Sequence, residues 1–185
     1  MSPEVWIGRH GRVDAAGRCY GWADVPAVVP PGPIADAWVE QIGAVPDTLW
    51  TSDLSRTRAI AGELERRWQR PLREDTRLRE LGFGAWEGRT WDEIHATEPD
   101  ALARWGAGWR DAPPPGGESA SDLEARVGAW IAALGAGRHV AVAHAGTVRA
   151  AWVVTGRLGW EEAMATPVPW ASVWCVSPAR SSGSP

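Results

Sequence analysis

The stretch EVWIGRHG, residues 4–11, joins a short apolar run to an arginine, a histidine and a glycine. The apolar part, residues 4–8, has the length and composition of a strand that is buried on both faces of a sheet. It stops abruptly at Arg9 and His10, which places a cation beside an imidazole at the predicted end of the strand. The sequence therefore predicts a buried strand that leads directly into a chemically reactive loop.

Three more apolar runs predict strands of the same kind, namely TLWT at 48–51, HVAVA at 139–143 and ASVWCV at 171–176. Helical patterns separate them, at 34–43, 55–69, 121–134 and 147–155. Ser121 and Glu124 have the spacing of a capping box at the start of the third helix. Strands that alternate with helices of this length predict an α/β fold, a three-layer α/β/α sandwich with a mostly parallel central sheet.

Length and composition predict a single domain over residues 1–178, followed by a frayed tail at 179–185. A chain of 185 residues with 44% apolar residues is long enough to bury most of its apolar surface. Irregular segments at 11–33 and 82–118 interrupt the alternation, and the second is rich in Trp and Gly. Long irregular insertions in a compact domain are usually functional loops or lids.

Charge and cysteine content limit the classes of partner. The net charge of −4 and the pI near 5.6 argue against general binding to nucleic acid or to an anionic membrane. The N-terminus lacks a leader pattern, and no apolar run approaches the roughly 18 residues that a membrane span needs. Cys19 and Cys175 form no CxxC pair, so we expect a soluble cytoplasmic protein without a disulfide framework.

Three clusters of reactive residues follow predicted strands, where open α/β sheets bind their ligands: RHG at 9–11, TSDLSRTR at 51–58 and HAGTVR at 144–149. A fourth cluster, RELGFGAWEG at 79–88, leads into the Trp-rich insertion. If the strands are parallel, two arginines and two histidines meet at one edge of the sheet: Arg9, His10, Arg56 and His144. Guanidinium groups pair bidentately with phosphate, and Ala145 and Gly146 can present backbone N–H groups at a helix N-terminus. This edge is therefore predicted to bind a phosphate.

Five segments together resemble the histidine phosphatase superfamily, in its phosphoglycerate mutase-like branch. They are RHG, SDLSRTRAIA, LRELGFGAWEG, GGES and VAVAHAG, in family order from about residue 4 to about residue 156. The resemblance implies a phosphatase that acts through a phosphohistidine on a small phosphate monoester and needs no metal and no other cofactor.

The resemblance also assigns roles to the matching residues. His10 would be the nucleophile that becomes phosphorylated, Arg9 and Arg56 would hold the phosphoryl oxygens, and His144 would complete this clamp. Backbone N–H groups complete the implied phosphate site, those of Gly11, Ala145 and Gly146. A free imidazole has a pKa of about 6.5, so His10 can be neutral at neutral pH if the arginines disfavour its protonation.

An alcohol leaving group needs a proton donor, and the resemblance gives this role to Glu80. Glu87 and Glu118 lie in neighbouring motif segments and are the alternative carboxylates. The chain departs from the family pattern at Arg12 and Val13, where an acidic residue or Gln and then Thr are usual.

The segment GRCYGWADVP at 17–26 resembles the GxxYGxxD segment of α-ribazole phosphatases, which would place Tyr20 and Trp22 at the substrate. Alternatively it is a glycine-punctuated turn with Tyr20 packed inside. The Trp-rich insertion could offer flat apolar faces to a benzimidazole nucleoside, from Trp86, Trp91, Trp105 and Trp109.

The chain is short for a mutase of this branch, so we expect hydrolysis, with α-ribazole 5′-phosphate of cobalamin synthesis as the substrate. A broad-specificity phosphatase and a mutase-like enzyme are the alternatives.

The sequence fits two other classes of enzyme less well. The four histidines show no HExxH or similar spacing, which disfavours a metallohydrolase. GFGAWEG at 82–88 is not a dinucleotide fingerprint, because Glu87 stands where the third glycine belongs. A module that binds a phosphorylated ligand without turnover remains an alternative, although intact His10 and Glu80 favour an enzyme. The sequence leaves the oligomeric state open, a homodimer included.

Overall fold

Five strands form the central sheet: β1 (Glu4–Arg9), β2 (Thr48–Thr51), β3 (Leu72–Glu74), β4 (Arg138–Ala143) and β5 (Val173–Cys175). They are taken from a computed structural model, in which residues 3–177 are described. The strand order is β3-β2-β4-β1-β5, and β5 runs antiparallel to β1 while the other pairs are parallel. The expected mostly parallel sheet is confirmed. The tail expected at 179–185 lies outside the described residues.

Helices cover both faces of the sheet. They are α1 (Pro31–Ile42), α2 (Ser55–Trp68), α3 (Trp91–Thr97), α4 (Pro99–Gly108), α5 (Ala120–Ala132), α6 (Ala145–Val154) and α7 (Trp160–Ala165). Within residues 3–177, no helix combines the length and the apolar character that crossing a membrane requires.

Side chains along β4 alternate between two apolar clusters, as the two-residue period of a strand requires. Val140 and Val142 pack in the cluster that α1 and α2 build on one face, around Trp38. Ala141 and Ala143 belong to the cluster that α5, α6 and α7 build on the other face. Because both faces are buried, the sheet is the middle layer of a three-layer sandwich.

The start of α5 differs from the sequence prediction. The helix begins one residue earlier, and its capping box joins Ser119 to Asp122 rather than Ser121 to Glu124. Asp122 N–H donates to Ser119 Oγ at 3.1 Å, and Asp122 accepts from Ser119 N–H at 2.9 Å. The side chain of Glu124 instead accepts a hydrogen bond from Trp160 Nε1 at 2.6 Å.

Several short elements were missed from the sequence. Helices α3 and α4 lie inside segment 82–118, which we expected to be irregular. Strand β3 has three residues, of which only Leu72 is apolar, and α7 has six residues. Elements this short carry too few periods of hydrophobicity to stand out in a sequence. Helix α1 begins three residues before the predicted start, with a proline in its first turn, where proline is well tolerated.

The carboxyl ends of β1, β2 and β4 meet at one edge of the sheet. Strands β1 and β4 pair as far as Arg9 and Ala143, so the next residues, His10 and His144, leave the sheet side by side. Ser52 follows β2 on the other side of β4. The parallel topology therefore assembles three polar side chains that are distant in sequence.

Candidate active site

His10 is buried, and its ring has a fixed tautomer. Its Nδ1 lies 2.8 Å from the carbonyl oxygen of Gly11. A carbonyl oxygen only accepts hydrogen bonds, so the proton is on Nδ1 and the lone pair is on Nε2. Within residues 3–177, Nε2 has no hydrogen-bond partner. Gly11 was expected to contact phosphate. In the structure its carbonyl group orients the imidazole of His10.

The pKa of His10 falls from the usual 6.5 to about 3. Burial is the largest cause, because removal from water penalises the charged ring, and the charges of Arg56 and Arg9 add to it. The hydrogen bond to Gly11 opposes this shift. The ring is therefore neutral at pH 7, and burial contributes more to this than the arginines that the sequence suggested.

His144 is completely buried at the N-cap position of α6. Arg56 Nε donates to His144 Nδ1 at 3.3 Å, so the ring proton is on Nε2, which lies 2.9 Å from Ser52 Oγ. Its ring meets the ring of His10 edge to face, with centroids 5.0 Å apart. Burial, followed by the nearby positive charges, lowers its pKa well below 6.5. His144 is thus a second neutral imidazole, and both of its nitrogens are already bonded to protein.

Arg56 is fully buried in the first turn of α2. Besides its bond to His144, Nη1 donates to the carbonyl oxygen of Ala23 at 2.8 Å and Nη2 to that of Gly21 at 2.5 Å. A guanidinium group has five N–H donors, so two remain for a ligand. Burial lowers the pKa of Arg56, but the usual pKa of 12.5 is so high that the group keeps its charge.

Arg9 ends β1 and is half-buried. Nη1 donates to the carbonyl oxygen of Val168 at 2.6 Å, and Cζ lies 3.4 Å from the centre of the Trp170 ring. Nε is buried without a hydrogen-bond partner in the described part of the chain. Burial lowers the pKa of Arg9, and the negative charge of Glu80 partly opposes this.

Glu80 faces these groups from the segment that leads to the Trp-rich insertion. Gly146 N–H donates to both carboxylate oxygens, at 3.0 and 3.1 Å, and Leu81 N–H donates to Oε1 at 2.9 Å. A Cβ atom on residue 146 would collide with Oε1, so this approach requires the glycine. The sequence predicted that Gly146 N–H binds phosphate. In the structure this N–H binds Glu80.

The two alternative carboxylates, Glu87 and Glu118, have structural partners. Glu87 accepts hydrogen bonds from four backbone N–H groups, those of Gly21, Trp22, Ala23 and Phe83. Glu118 forms an ion pair with Arg126 and accepts from Gly82 N–H at 3.0 Å. Neither lines the cavity that Glu80 lines. Glu80 is therefore the carboxylate in position to meet a ligand.

Arg9, His10 and Glu80 line a cavity of about 440 Å³. Aromatic side chains line it as well, and we call them the aromatic wall: Tyr20, Phe83, Trp91, Trp105, Trp109 and Trp160. Trp91 and Trp105 are stacked, with ring centroids 5.8 Å apart and an interplanar angle of 18°. Arg9, His10 and Glu80 of this lining, together with two residues that do not line the cavity, form what we call the histidine cluster: Arg9, His10, Arg56, Glu80 and His144. A charged cluster and an apolar wall thus share one site.

A family model described as histidine phosphatase superfamily, branch 1, matches residues 5–183. The chain belongs to this superfamily. The family that the motifs suggested is thereby confirmed.

Individual relatives fall in two groups. Glucosyl-3-phosphoglycerate phosphatase of Mycobacterium tuberculosis (strain CDC 1551 / Oshkosh) is 36% identical over 131 residues, which is 68% of this chain and 57% of the relative. The chain thus spans little more than half the length of that relative. Among solved structures, α-ribazole phosphatase from Shigella flexneri has a TM-score of 0.80 at 23% identity and covers 92% of this chain and 88% of its own. The native structure of a mycobacterial glucosyl-3-phosphoglycerate phosphatase has a TM-score of 0.76 at 30% identity, with 90% and 85% covered.

Of the three residues expected to contact the substrate, Trp22 and Trp86 do not line the cavity. Trp86 is 0% exposed and packs with Cys19 and Ile94 in a separate apolar cluster, so it cannot meet a ligand in this arrangement. Trp22 is 44% exposed, but its indole N–H donates to the carbonyl oxygen of Glu80 at 2.8 Å. Of the three, Tyr20 lines the cavity.

Sequence reasoning missed two arginines of the site. Arg149, in α6, lines the cavity and donates to the carbonyl oxygen of Ala163 at 2.9 Å. Arg126, in α5, uses all five N–H donors: two bind Glu118, and three bind the carbonyl oxygens of residues 77, 79 and 80. Most of these acceptors are backbone atoms, which leave no trace in a sequence. Arg126 holds the chain on both sides of the turn into Glu80.

Between residues 3 and 177, no group of three or more His, Cys, Asp or Glu side chains is placed to hold a metal ion. The expectation that activity needs no metal remains a prediction for assay.

Proposed function

We propose that the chain is a phosphomonoesterase that transfers the phosphoryl group first to Nε2 of His10 and then to water. The observation that carries this proposal is the state of His10. Its proton is held on Nδ1 by Gly11, its pKa is about 3, its Nε2 has no hydrogen-bond partner among residues 3–177, and it lines a cavity together with Arg9. A buried neutral imidazole with an unshared lone pair beside a cation is suited to attack phosphorus.

In the first step, Nε2 of His10 forms a bond to phosphorus and the bond from phosphorus to the ester oxygen breaks. Glu80, entering as the carboxylic acid, gives its proton to the leaving oxygen, which departs as an alcohol. In the second step Glu80, now a carboxylate, takes a proton from water as its oxygen attacks phosphorus. The bond to Nε2 breaks, phosphate leaves, and both residues return to their starting states.

Arg9 and Arg56 are proposed to bind the phosphoryl oxygens through the guanidinium N–H groups that their protein contacts leave free. Phosphoryl transfer depends mainly on positioning and charge stabilisation, which these fixed cations supply. Because both nitrogens of His144 are bonded to Arg56 and Ser52, we assign it the orientation of Arg56. We retain Ala145 as a donor of backbone N–H at the start of α6.

For the substrate we propose a phosphate monoester whose alcohol carries a planar aromatic ring, of which α-ribazole 5′-phosphate is the specific candidate. The support is the aromatic wall, because the stacked faces of Trp91 and Trp105 beside Tyr20 are suited to a planar ring. The segment GRCYGWADVP, which supplies Tyr20, is the second support. The free cysteines Cys19 and Cys175 are consistent with a reducing compartment, and we propose the cytoplasm.

A second candidate is glucosyl-3-phosphoglycerate, the substrate named for the mycobacterial relative. This ester carries a carboxylate near the phosphate, and a carboxylate would need a cation in the cavity. Arg18 and Arg149 line the cavity and could supply one. A carboxylate substrate is thus a specific competitor for an aromatic one.

The deciding experiment compares phosphate release from α-ribazole 5′-phosphate, glucosyl-3-phosphoglycerate, 3-phosphoglycerate, fructose 2,6-bisphosphate and p-nitrophenyl phosphate, with EDTA present. His10→Ala is the control, and acid-labile, base-stable protein phosphate in a quenched reaction reports the phosphohistidine. Turnover in EDTA that disappears in His10→Ala supports the mechanism, and the preferred ester identifies the substrate class. Turnover that survives in His10→Ala rejects the mechanism. Binding without turnover of any ester would favour a binding module.

A further inference from the structure

Trp170 lies between α7 and β5, and its backbone neighbours are fastened to the end of β1. Ala171 N–H donates to the carbonyl oxygen of His10 at 3.0 Å, and Arg9 N–H donates to the carbonyl oxygen of Ser172 at 2.8 Å. The indole N–H of Trp38 donates to the carbonyl oxygen of Ala171 at 2.6 Å. The backbone around Trp170 therefore cannot move independently of Arg9 and His10.

The Trp170 side chain contacts both of these residues. Its ring centre lies 3.4 Å from Cζ of Arg9, the distance of two planes in direct stacking contact. Its ring also meets that of His10, with centroids 5.1 Å apart and an angle of 56° between the planes. Arg9 and His10 line the cavity whereas Trp170 does not, so the indole supports them from outside the cavity.

The guanidinium group of Arg9 has few other supports. Its polar protein contacts are Val168 and Tyr20, and within residues 3–177 it forms no ion pair with a carboxylate. A carboxylate would hold the group in place but would also compete with phosphate for its donors. The face of an indole attracts a cation without offering a hydrogen-bond acceptor. It can therefore fix the plane of the guanidinium group without occupying any of its N–H groups.

We infer that Trp170 is a positioning residue, which holds the guanidinium plane of Arg9 and keeps water from the ring of His10. This inference rests on the proposed phosphoryl transfer to His10. It adds a role for a residue that the motifs of the sequence do not include.

Trp170→Leu tests the inference, with Trp170→Phe as the conservative variant and Trp174→Leu as the matched control. Trp174 lies in β5 and packs against Trp152, away from the histidine cluster. The readouts are the inhibition constant of orthophosphate, kcat and KM separately, and the acid limb of the kcat/KM profile. Circular dichroism and thermal melting report folding.

We expect Trp170→Leu to raise the inhibition constant of orthophosphate and KM by about 5- to 30-fold, the range for loss of a partly desolvated cation–π contact. Water admitted to His10 moves the acid limb toward neutral pH, because hydration favours the protonated ring. Trp170→Phe should restore most of both losses, and Trp174→Leu should leave both values unchanged. A merely structural tryptophan would lower the melting temperature without moving the acid limb.

The inference is overturned if folded Trp170→Leu binds orthophosphate as wild type does, or if Trp174→Leu shifts the same values equally. If Trp170→Leu does not fold, Trp170→Met replaces it, because methionine fills the space without an aromatic face, and unchanged phosphate inhibition in folded Trp170→Met is again the negative result. Turnover in His10→Ala measures the proposed mechanism separately. The inference about Trp170 can therefore fail while the phosphohistidine mechanism stands.

Discussion

Residues of the histidine cluster and of the aromatic wall line one cavity, but the two groups are held in place in different ways. In the histidine cluster, hydrogen bonds fix both imidazole rings: Gly11 orients His10, and Arg56 and Ser52 hold His144. The aromatic wall is held by packing of large rings, with few hydrogen bonds. Directional bonds fix atoms closely, while packed rings tolerate some variation in the shape of a ligand. The difference suggests that the chemistry is strictly specified and the leaving group less so.

The largest expected effect concerns Glu80, the proposed general acid in the histidine cluster. Glu80→Gln should lower kcat/KM for an alkyl ester by about 100- to 10,000-fold, because the leaving oxygen loses its proton donor as the phosphohistidine forms. The loss of kcat/KM should be small for p-nitrophenyl phosphate, whose leaving group needs no proton. Rates of alcohol release at low ester concentration check this, since they do not include the later hydrolysis of the phosphohistidine.

Glu74→Gln is the matched control for that substitution. Glu74 pairs with Arg58 on the surface, so kcat/KM should stay at the wild-type value for both esters. If kcat/KM falls equally for alkyl and p-nitrophenyl esters in Glu80→Gln, Glu80 is not the general acid and has only an electrostatic role.

Arg126→Lys tests whether the hydrogen bonds of Arg126 to the backbone of residues 77–80 stabilise the protein. A lysine cannot make the five bonds of the arginine fork, which leaves buried carbonyl oxygens and Glu118 short of donors. We expect a loss of about 2–4 kcal/mol in the free energy of unfolding, measured by urea denaturation. Arg66→Lys, at a side chain that is 67% exposed, should change it by less than about 0.5 kcal/mol. If the two variants are equally stable, the backbone bonds of Arg126 are unimportant.

Trp91→Ala probes the aromatic wall. Trp91 is 41% exposed and stacks on Trp105, so its loss opens the cavity without emptying the core. We expect kcat/KM to fall by about 5- to 30-fold for an ester with a planar ring and little for ethyl phosphate, because ring contacts supply the binding energy. Equal falls for both esters would show that the wall serves the fold rather than the leaving group.

The sequence predicted the histidine cluster better than it predicted the arginines around it. Arg9, His10, Arg56 and His144 stand next to predicted strands or helices, and parallel strands bring such ends together, so their meeting could be predicted. The acceptors of Arg126 and Arg149 are largely backbone carbonyl groups, and no pattern of side chains reports them.

The aromatic wall was only half predicted for a related reason. Trp91, Trp105 and Trp109 were expected near the ligand and line the cavity, whereas Trp86 is buried. All four come from one Trp-rich segment, and composition does not tell which face of a short helix turns inward. Trp86 lies in a 3-10 helical turn, Gly84–Trp86, that packs against α3 and α4. Only the three-dimensional packing distinguishes it from its neighbours.

A further expected effect is the pH dependence of stability that follows from the burial of the histidine cluster. The folded protein holds His10 at a pKa of about 3 and keeps that of His144 well below 6.5, whereas unfolded histidines titrate near 6.5. Below about pH 6.5 the unfolded chain therefore binds more protons than the folded one, so stability decreases as the pH falls toward 3. Each such histidine contributes a slope of about 1.4 kcal/mol per pH unit. Urea unfolding between pH 6.5 and 4.5 measures this slope.

Two variants test the assignment to His10. In His10→Asn the slope should be smaller by the contribution of one histidine, while His95→Asn, at an exposed position, should keep the wild-type slope. Identical slopes in all three proteins would mean that water reaches His10, and the contrast between a dry histidine cluster and an open aromatic wall would fail.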